Sequence, residues 1–242
     1  MIERILPGSA VGVETFGDLP EALLHPLEAL VVRQATTARR SEFSTGRWCA
    51  KQALVKLRVP EAPLLPGRHH APCWPTGVVG SITHCAGYRA AAVARSSDVR
   101  MLGVDAEPHA PLPAGVLESI ALPEEQAMVC ELDSVAPGVH WDRLLFSLKE
   151  TVYKAWYPAT SRRLEFEDAR ISINAPTSTY SARVLVPSPL RQAGRPLDRL
   201  NGRWLVSDGL LVAALAVPAE YAGRAAGTCG TGCSRHTPAA TT

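Results

Sequence analysis

Two segments carry the side chains best suited to chemistry. The first is Leu102-Gly103-Val104-Asp105-Ala106-Glu107-Pro108. Side chains alternate along a strand, so Leu102, Val104 and Ala106 share one face, and Asp105 and Glu107 point together from the other. Two carboxylates aimed at one point, joined by a third from elsewhere, would suit Mg²⁺, which takes oxygen ligands and completes its shell with water and phosphate. The second segment is Val139 to Tyr157, VHWDRLLFSLKETVYKAWY. At about 100° per residue, Trp141, Leu144, Leu145, Leu148, Val152 and Trp156 form one apolar stripe, and Glu150 and Lys154 lie nearly opposite it.

Each feature alone is commonplace. A Glu–Lys pair at i,i+4 supports an exposed helix by about 0.3 to 0.5 kcal/mol, and an isolated D-x-E suits a solvent-facing strand. Positive charge changes the reading: Arg39, Arg40, Arg47, Arg68 and a turn histidine, His84, accompany the carboxylates. The planar guanidinium bonds two phosphate oxygens at once. A divalent-cation site beside several phosphate-binding cations describes a site for a polyphosphate ester.

The elements that must position these groups follow from periodicity. Thr37 to Leu57 predicts a helix, with Phe43, Ala50, Leu54 and Leu57 as its apolar side and a basic face opposite. Pro60, Pro63, Pro66, Pro72 and Pro75 make residues 59 to 76 a loop. Val78 to Ile82 and Tyr88 to Ala94 read as a hairpin around Cys85-Ala86-Gly87. Leu102 to Ala106 reads as a strand, 139 to 157 as a helix, and Arg170 to Asn174, Thr179 to Val186, Arg203 to Val206 and Leu210 to Val217 as strands. Ser207-Asp208-Gly209 makes the last hairpin turn. Helix plus antiparallel hairpins, twice, predicts an α+β protein of two similar lobes in one chain, residues 1–100 and 101–222. Residues 223–242 lack periodicity and are expected to be disordered.

Composition excludes several classes. The 242 residues are 46% hydrophobic and 20% charged, with 25 Lys+Arg against 23 Asp+Glu and a formal net charge of +2. Such a balance does not recruit duplex DNA or an anionic membrane. No apolar run reaches the length of a membrane span, and no basic region followed by an apolar run opens the chain. The six cysteines are scattered and read as reduced thiols of a cytoplasmic protein. Cys229, Cys233 and His236 make an incomplete zinc set.

The residues resemble a family. Gly103-Val104-Asp105-Ala106-Glu107, followed by Phe146-Ser147-Leu148-Lys149-Glu150-Thr151-Val152-Tyr153-Lys154, is similar to the paired signature G-x-D-x-E and F/W-S-x-K-E-x-x-x-K of the 4'-phosphopantetheinyl transferases, in their long Sfp-like or EntD-like class. Arg39-Arg40-Ser41-Glu42-Phe43 with Arg47, Pro72-Cys73-Trp74-Pro75, and Gly80 through Tyr88 add to the likeness, which is strongest to the actinobacterial branch.

The resemblance implies a pseudo-dimer of two lobes, each a small antiparallel sheet packed with helices, with the active site between them. It implies Asp105, Glu107 and Glu150 as Mg²⁺ ligands. Arg39, Arg47, Thr83, His84, Asp105, Glu150 and Lys154 fall to coenzyme A, with Pro66, Gly67, Arg68 and His69 closing over its phosphates and Leu164 walling the pocket. The implied reaction is attack by a carrier-protein serine on the β-phosphate of coenzyme A, with Glu150 and Lys154 as the catalytic pair and adenosine 3',5'-bisphosphate released. The implied partners are apo acyl and peptidyl carrier proteins of fatty-acid, polyketide or nonribosomal-peptide synthesis, met by a monomer. Close relatives carry lysine where Pro66 stands, and Arg68 or His69 is expected to take over that phosphate. The chain has no Q/R-x-x-G-x-G/A loop of the coenzyme A acyltransferases, no G-x-x-x-x-G-K-[ST] and no G-x-S-x-G. The remaining alternative is an inactive carrier-binding module of the same fold.

Overall fold

The computed structural model describes residues 1–20 and 22–220. The expectations for the tail, including Cys229 and Cys233, lie outside the described residues.

Strand β1 (Ala10–Phe16) precedes the short helix α1 (Pro26–Val31) and the long helix α2 (Thr37–Lys56). The Thr36 hydroxyl caps α2 by accepting the Arg39 N–H. After the proline-rich loop, β2 (Val78–Cys85) and β3 (Tyr88–Arg95) form the expected hairpin. Cys85 pairs with Tyr88 in its register, and Gly87 supplies the positive φ of +74° that the turn requires. With β1 at one edge the order is β1-β3-β2, all antiparallel. Helix α2 covers one face of this sheet, burying Cys49, Ala50, Ala53 and Leu54 with Val78, Ala91 and Val93.

The second lobe is larger. Strand β4 (Val99–Pro108) leads into α3 (Val116–Ile120), α4 (Pro123–Val135) and α5 (Trp141–Thr160), then β5 (Ala169–Asn174), β6 (Thr179–Val184), a small hairpin of β7 (Arg191–Gln192) and β8 (Arg195–Pro196), β9 (Arg199–Ser207) and β10 (Leu210–Pro218). The five long strands form an antiparallel sheet of order β4-β10-β9-β6-β5. Asp208 and Gly209, both at positive φ, turn β9 into β10 at the expected place. The lobes share the plan of helices on an antiparallel sheet but not its size. The expected boundary at residue 100 falls inside β4, which pairs with β10 and so belongs to the second sheet.

Helix α5 lies across this sheet on its expected stripe: Trp141, Leu144, Leu145, Leu148, Val152 and Trp156 are all buried, and Trp141 meets Trp204 edge to face at 5.5 Å. Strands β2 and β4 run alongside one another across the lobe boundary, bridged by hydroxyl side chains. Ser81 Oγ accepts the Val104 N–H at 3.1 Å, and Thr83 Oγ1 accepts the Ala106 N–H at 3.0 Å. These bonds satisfy buried backbone donors of β4 that no strand ladder reaches on that side.

Candidate active site

The expected alternation holds on β4. Leu102, Val104 and Ala106 pack into the core between the lobes, while Gly103, Asp105 and Glu107 share the side facing α5. Asp105 is buried and fully engaged. Its Oδ1 accepts from Lys154 Nζ at 2.6 Å and from Thr83 Oγ1 at 3.2 Å, and its Oδ2 accepts from Ser147 Oγ at 2.8 Å. Burial works against the Lys154 ammonium, but Asp105, Glu150 and Glu107 outweigh it and hold its pKa above the ordinary lysine value. Lys154 is therefore a fixed cation.

Glu107 turns to a residue that periodicity had not singled out. Arg143, in the first turn of α5, donates to Glu107 Oε2 at 3.0 Å and to the Ala110 and Pro111 carbonyls at 3.2 and 2.9 Å. Burial and then the Asp105 charge push the Glu107 carboxyl upward against the pull of Arg143. Glu150 is also raised, by burial foremost and by Asp105, against the pull of Lys154. Asp105 thus bears on both other acids. Among the described residues, however, no three acidic, histidine or cysteine side chains stand close enough to grip one ion together: Asp105 and Glu107 are turned onto Lys154 and Arg143 instead.

A cleft of about 450 Å³ opens between α2, β2 and the later turns of α5. Arg39, Arg47, Pro66, His69, His84, Glu150 and Lys154 all line it, so residues far apart in sequence and from both lobes meet on one surface. Glu42, given no role by the sequence reading, joins two of them: its Oε2 accepts from Arg39 Nη1 at 3.0 Å, and its Oε1 bonds His84 Nδ1. Arg39 Nη1 also lies 3.4 Å from His84 Nε2. Burial lowers the His84 pKa more than Glu42 raises it, with Lys154, Arg39 and Arg89 adding to the fall. Arg47 is buried, not part of an exposed basic face. Its Nε donates to the Leu64 carbonyl at 2.8 Å and its guanidinium lies 4.3 Å from the Phe43 ring centroid.

Besides Asp105 and Glu107, four expected residues stand off this cleft. Thr83 is buried with its hydroxyl on Asp105 and the Ala106 N–H, so it positions the acid from behind. Gly67 and Arg68 line a neighbouring cleft of about 470 Å³ with Trp74, Met101 and Tyr157. A Cβ on Gly67 would stand 3.0 Å from Cys73 Sγ, so the glycine serves close packing of the loop and does not turn Arg68 inward. His69 and His70, both at positive φ, line the main cleft, and His69 meets Tyr157 edge to face at 5.2 Å. Leu164 walls a smaller cleft on the other side of Glu150 and Tyr153. Lys149 points away: it pairs with Glu125 at 2.8 Å and donates to the Phe166 and Ala169 carbonyls, tying α4 and β5 to α5.

Comparison with known proteins bears on this geometry. A family model described as the 4'-phosphopantetheinyl transferase N-terminal domain matches residues 27–94, and one described as the 4'-phosphopantetheinyl transferase superfamily matches residues 101–195. The chain is 50% identical over 222 residues to 4'-phosphopantetheinyl transferase Svp of Streptomyces mobaraensis, covering 90% of each chain. It is 46% identical over 224 residues to 4'-phosphopantetheinyl transferase PptT of Mycobacterium tuberculosis, covering 89% of this chain and 97% of the relative. Enterobactin synthase component D of Salmonella typhi is 32% identical over 146 residues, 60% of this chain and 59% of its own.

Proposed function

The chain belongs to the 4'-phosphopantetheinyl transferases, and on that premise we propose that its 450 Å³ cleft binds coenzyme A, and that Asp105, Glu107, Glu150 and Lys154 serve transfer of the phosphopantetheine arm to a carrier-protein serine. The observation that carries this reading is the meeting of Arg39, Arg47 and His84 with Glu150 and Lys154 on one surface. Two guanidinium groups and an imidazole donor for phosphates, with a carboxyl to take a proton and a lysine cation to face developing charge, are then within one substrate's reach.

In the proposed reaction the serine oxygen bonds the β-phosphorus of coenzyme A as the bond to the bridging pyrophosphate oxygen breaks. Adenosine 3',5'-bisphosphate leaves, and the serine keeps the phosphopantetheine. Glu150, its carboxyl raised by burial, accepts the serine proton. Lys154, a permanent cation against Asp105, faces the charge that develops on the departing phosphate. Arg39, Arg47 and His84 hold the nucleotide end, with His69 or His70 in the place that Pro66 leaves without charge.

Asp105, Glu107 and Glu150 offer only hard oxygen donors, the chemistry that a divalent cation takes, and would hold it once Asp105 and Glu107 turn from Lys154 and Arg143. When bound, Mg²⁺ would neutralise charge on the pyrophosphate. Apo acyl and peptidyl carrier proteins are the proposed acceptors. A single chain suffices, because both lobes contribute to the cleft. No described helix is long and apolar enough to cross a membrane. An inactive binding module would not need Asp105, Glu107, Glu150 and Lys154 together. Incubating the protein with an apo carrier, coenzyme A and Mg²⁺ tests the reading by mass spectrometry. The carrier gains one phosphopantetheine; unchanged mass for fatty-acid, polyketide and peptide carriers alike would overturn it.

A further inference from the structure

A buried ion pair on the far side of Arg47 takes no part in the chemistry above. Glu28 of α1 is completely buried, and Lys51, one turn beyond Arg47 on α2, is nearly so. Lys51 Nζ lies 3.1 Å from Glu28 Oε2, which also accepts the His25 N–H at 2.9 Å. The other oxygen, Oε1, accepts the Leu64 N–H at 2.8 Å. The carbonyl of that same Leu64 is the acceptor for Arg47 Nε, also at 2.8 Å. A path of short polar contacts therefore runs from Lys51 through Glu28 and the Leu64 backbone to the Arg47 guanidinium.

Burying two charges carries a desolvation cost that their attraction often only offsets, so such a pair is better explained by what it orients than by net stability. Here it holds the backbone of a loop residue that belongs to no helix or strand and whose side chain is packed in the core under α2. Leu64 stands two positions before Pro66, which lines the cleft. With Nε committed to Leu64 and one guanidinium face over Phe43, the guanidinium has little freedom left, and Arg47 presents its remaining surface to the cleft.

We propose that Glu28 and Lys51 are positioning residues for the coenzyme A cleft, acting through the Leu64 backbone to hold the Arg47 guanidinium in its phosphate-binding orientation. This rests on the reading that Arg47 binds coenzyme A. A brace of this kind lowers the cost of ordering a long side chain at the moment of binding, so its loss is felt in affinity more than in turnover.

A double-variant cycle tests it, with the KM and kcat of transfer and the coenzyme A Kd from calorimetry measured for each protein. Glu28→Gln keeps the shape and removes the charge. It is expected to raise the KM and Kd for coenzyme A about tenfold, with kcat changed less than about twofold. In the Arg47→Ala background the same substitution should change the KM less than about twofold, because the group it positions is gone. Lys51→Gln should repeat this pattern if Glu28→Gln fails to fold, and Lys51→Arg, which keeps the charge, should retain the native KM. A raised KM in Arg47→Ala with an equal further rise on adding Glu28→Gln would overturn the brace alone, leaving the cleft assignment intact. An unchanged KM in Arg47→Ala would overturn the cleft assignment of Arg47 and the brace with it.

Discussion

Gly103 of β4 and Thr151 of α5 pack backbone against backbone. A Cβ on Gly103 would stand 2.2 Å from the Thr151 carbonyl oxygen and 2.9 Å from the Ala155 nitrogen. The glycine of the G-x-D-x-E segment is thus what lets the helix lie directly on the strand, and this contact brings Lys154 within 2.6 Å of Asp105. Gly103→Ala forces two backbones apart. It should cost about 1 to 3 kcal/mol, lower the melting temperature by roughly 2 to 10 °C, and reduce transfer well beyond what the fraction unfolded explains. Thermal melting and the rate at a temperature where the variant is fully folded check this together; a folded variant with native activity would show that the close approach is not needed.

Arg47 and His84 are expected to bind substrate without moving a proton. Arg47→Ala and His84→Ala should each raise the KM for coenzyme A more than they lower kcat, since a phosphate contact present before and during reaction is mostly uniform binding. Steady-state kinetics with coenzyme A and with its 3'-dephospho form check the assignment. A residue that holds the 3'-phosphate loses its mutational effect with the second substrate, and a pure kcat defect would reassign the residue.

The loop around Pro66 gives a contrast between neighbours. His69 lines the main cleft and Arg68 the adjoining one, so His69→Ala should raise the KM for coenzyme A severalfold while Arg68→Ala leaves it within about twofold. A charge-assisted phosphate contact contributes about 1.5 to 3 kcal/mol, so Pro66→Lys should restore the affinity lost in His69→Ala. A larger effect from Arg68→Ala would place Arg68 on the phosphates after all.

Cysteine chemistry separates the described thiols. Burial foremost pushes both Cys49 and Cys85 up to about 12, with the Glu107 and Asp105 charges adding at Cys85. Cys73 and Cys130 are exposed. Only the thiolate reacts, so at pH 8 alkylation of Cys49 and Cys85 should be roughly a thousandfold slower than that of an ordinary exposed thiol. The two stay protonated until the pH approaches their raised values. Timed iodoacetamide labelling followed by peptide mass mapping reads this directly; early labelling of Cys85 would contradict it.

Much of this site was legible in the sequence because its parts are local. Two-residue alternation placed Asp105 and Glu107 on one side of β4, and the apolar stripe from Trp141 to Trp156 placed α5. The helix runs three residues past the expected end, through Pro158: the proline gives up one bond of the ladder, and the last turn is closed by the Ser161 N–H on the Tyr157 carbonyl and the Thr160 hydroxyl on the Trp156 carbonyl. Partners that meet through tertiary packing left no such trace. Arg143, Glu28 and Lys51 look like ordinary surface charges in the chain, the Glu42 contact with His84 joins residues 42 apart, and Arg47 reads as part of a basic helix face although the fold buries it. Strand β1 and helix α4 escaped for another reason: Gly12 is the one buried position of β1, and α4 buries only Glu125 and Val129, so neither shows a clear apolar period.

The central claim is that the acids gathered at α5 and β4 perform the transfer. The most direct measurement follows phosphopantetheine addition to an apo carrier by mass spectrometry, for the native protein, Asp105→Ala and Glu150→Gln, each first shown to be folded by its melting curve. The account predicts complete conversion by the native protein with Mg²⁺, none with EDTA, and rates lower by at least about a hundredfold in both variants. Native-like rates in a folded Glu150→Gln or Asp105→Ala protein would contradict it.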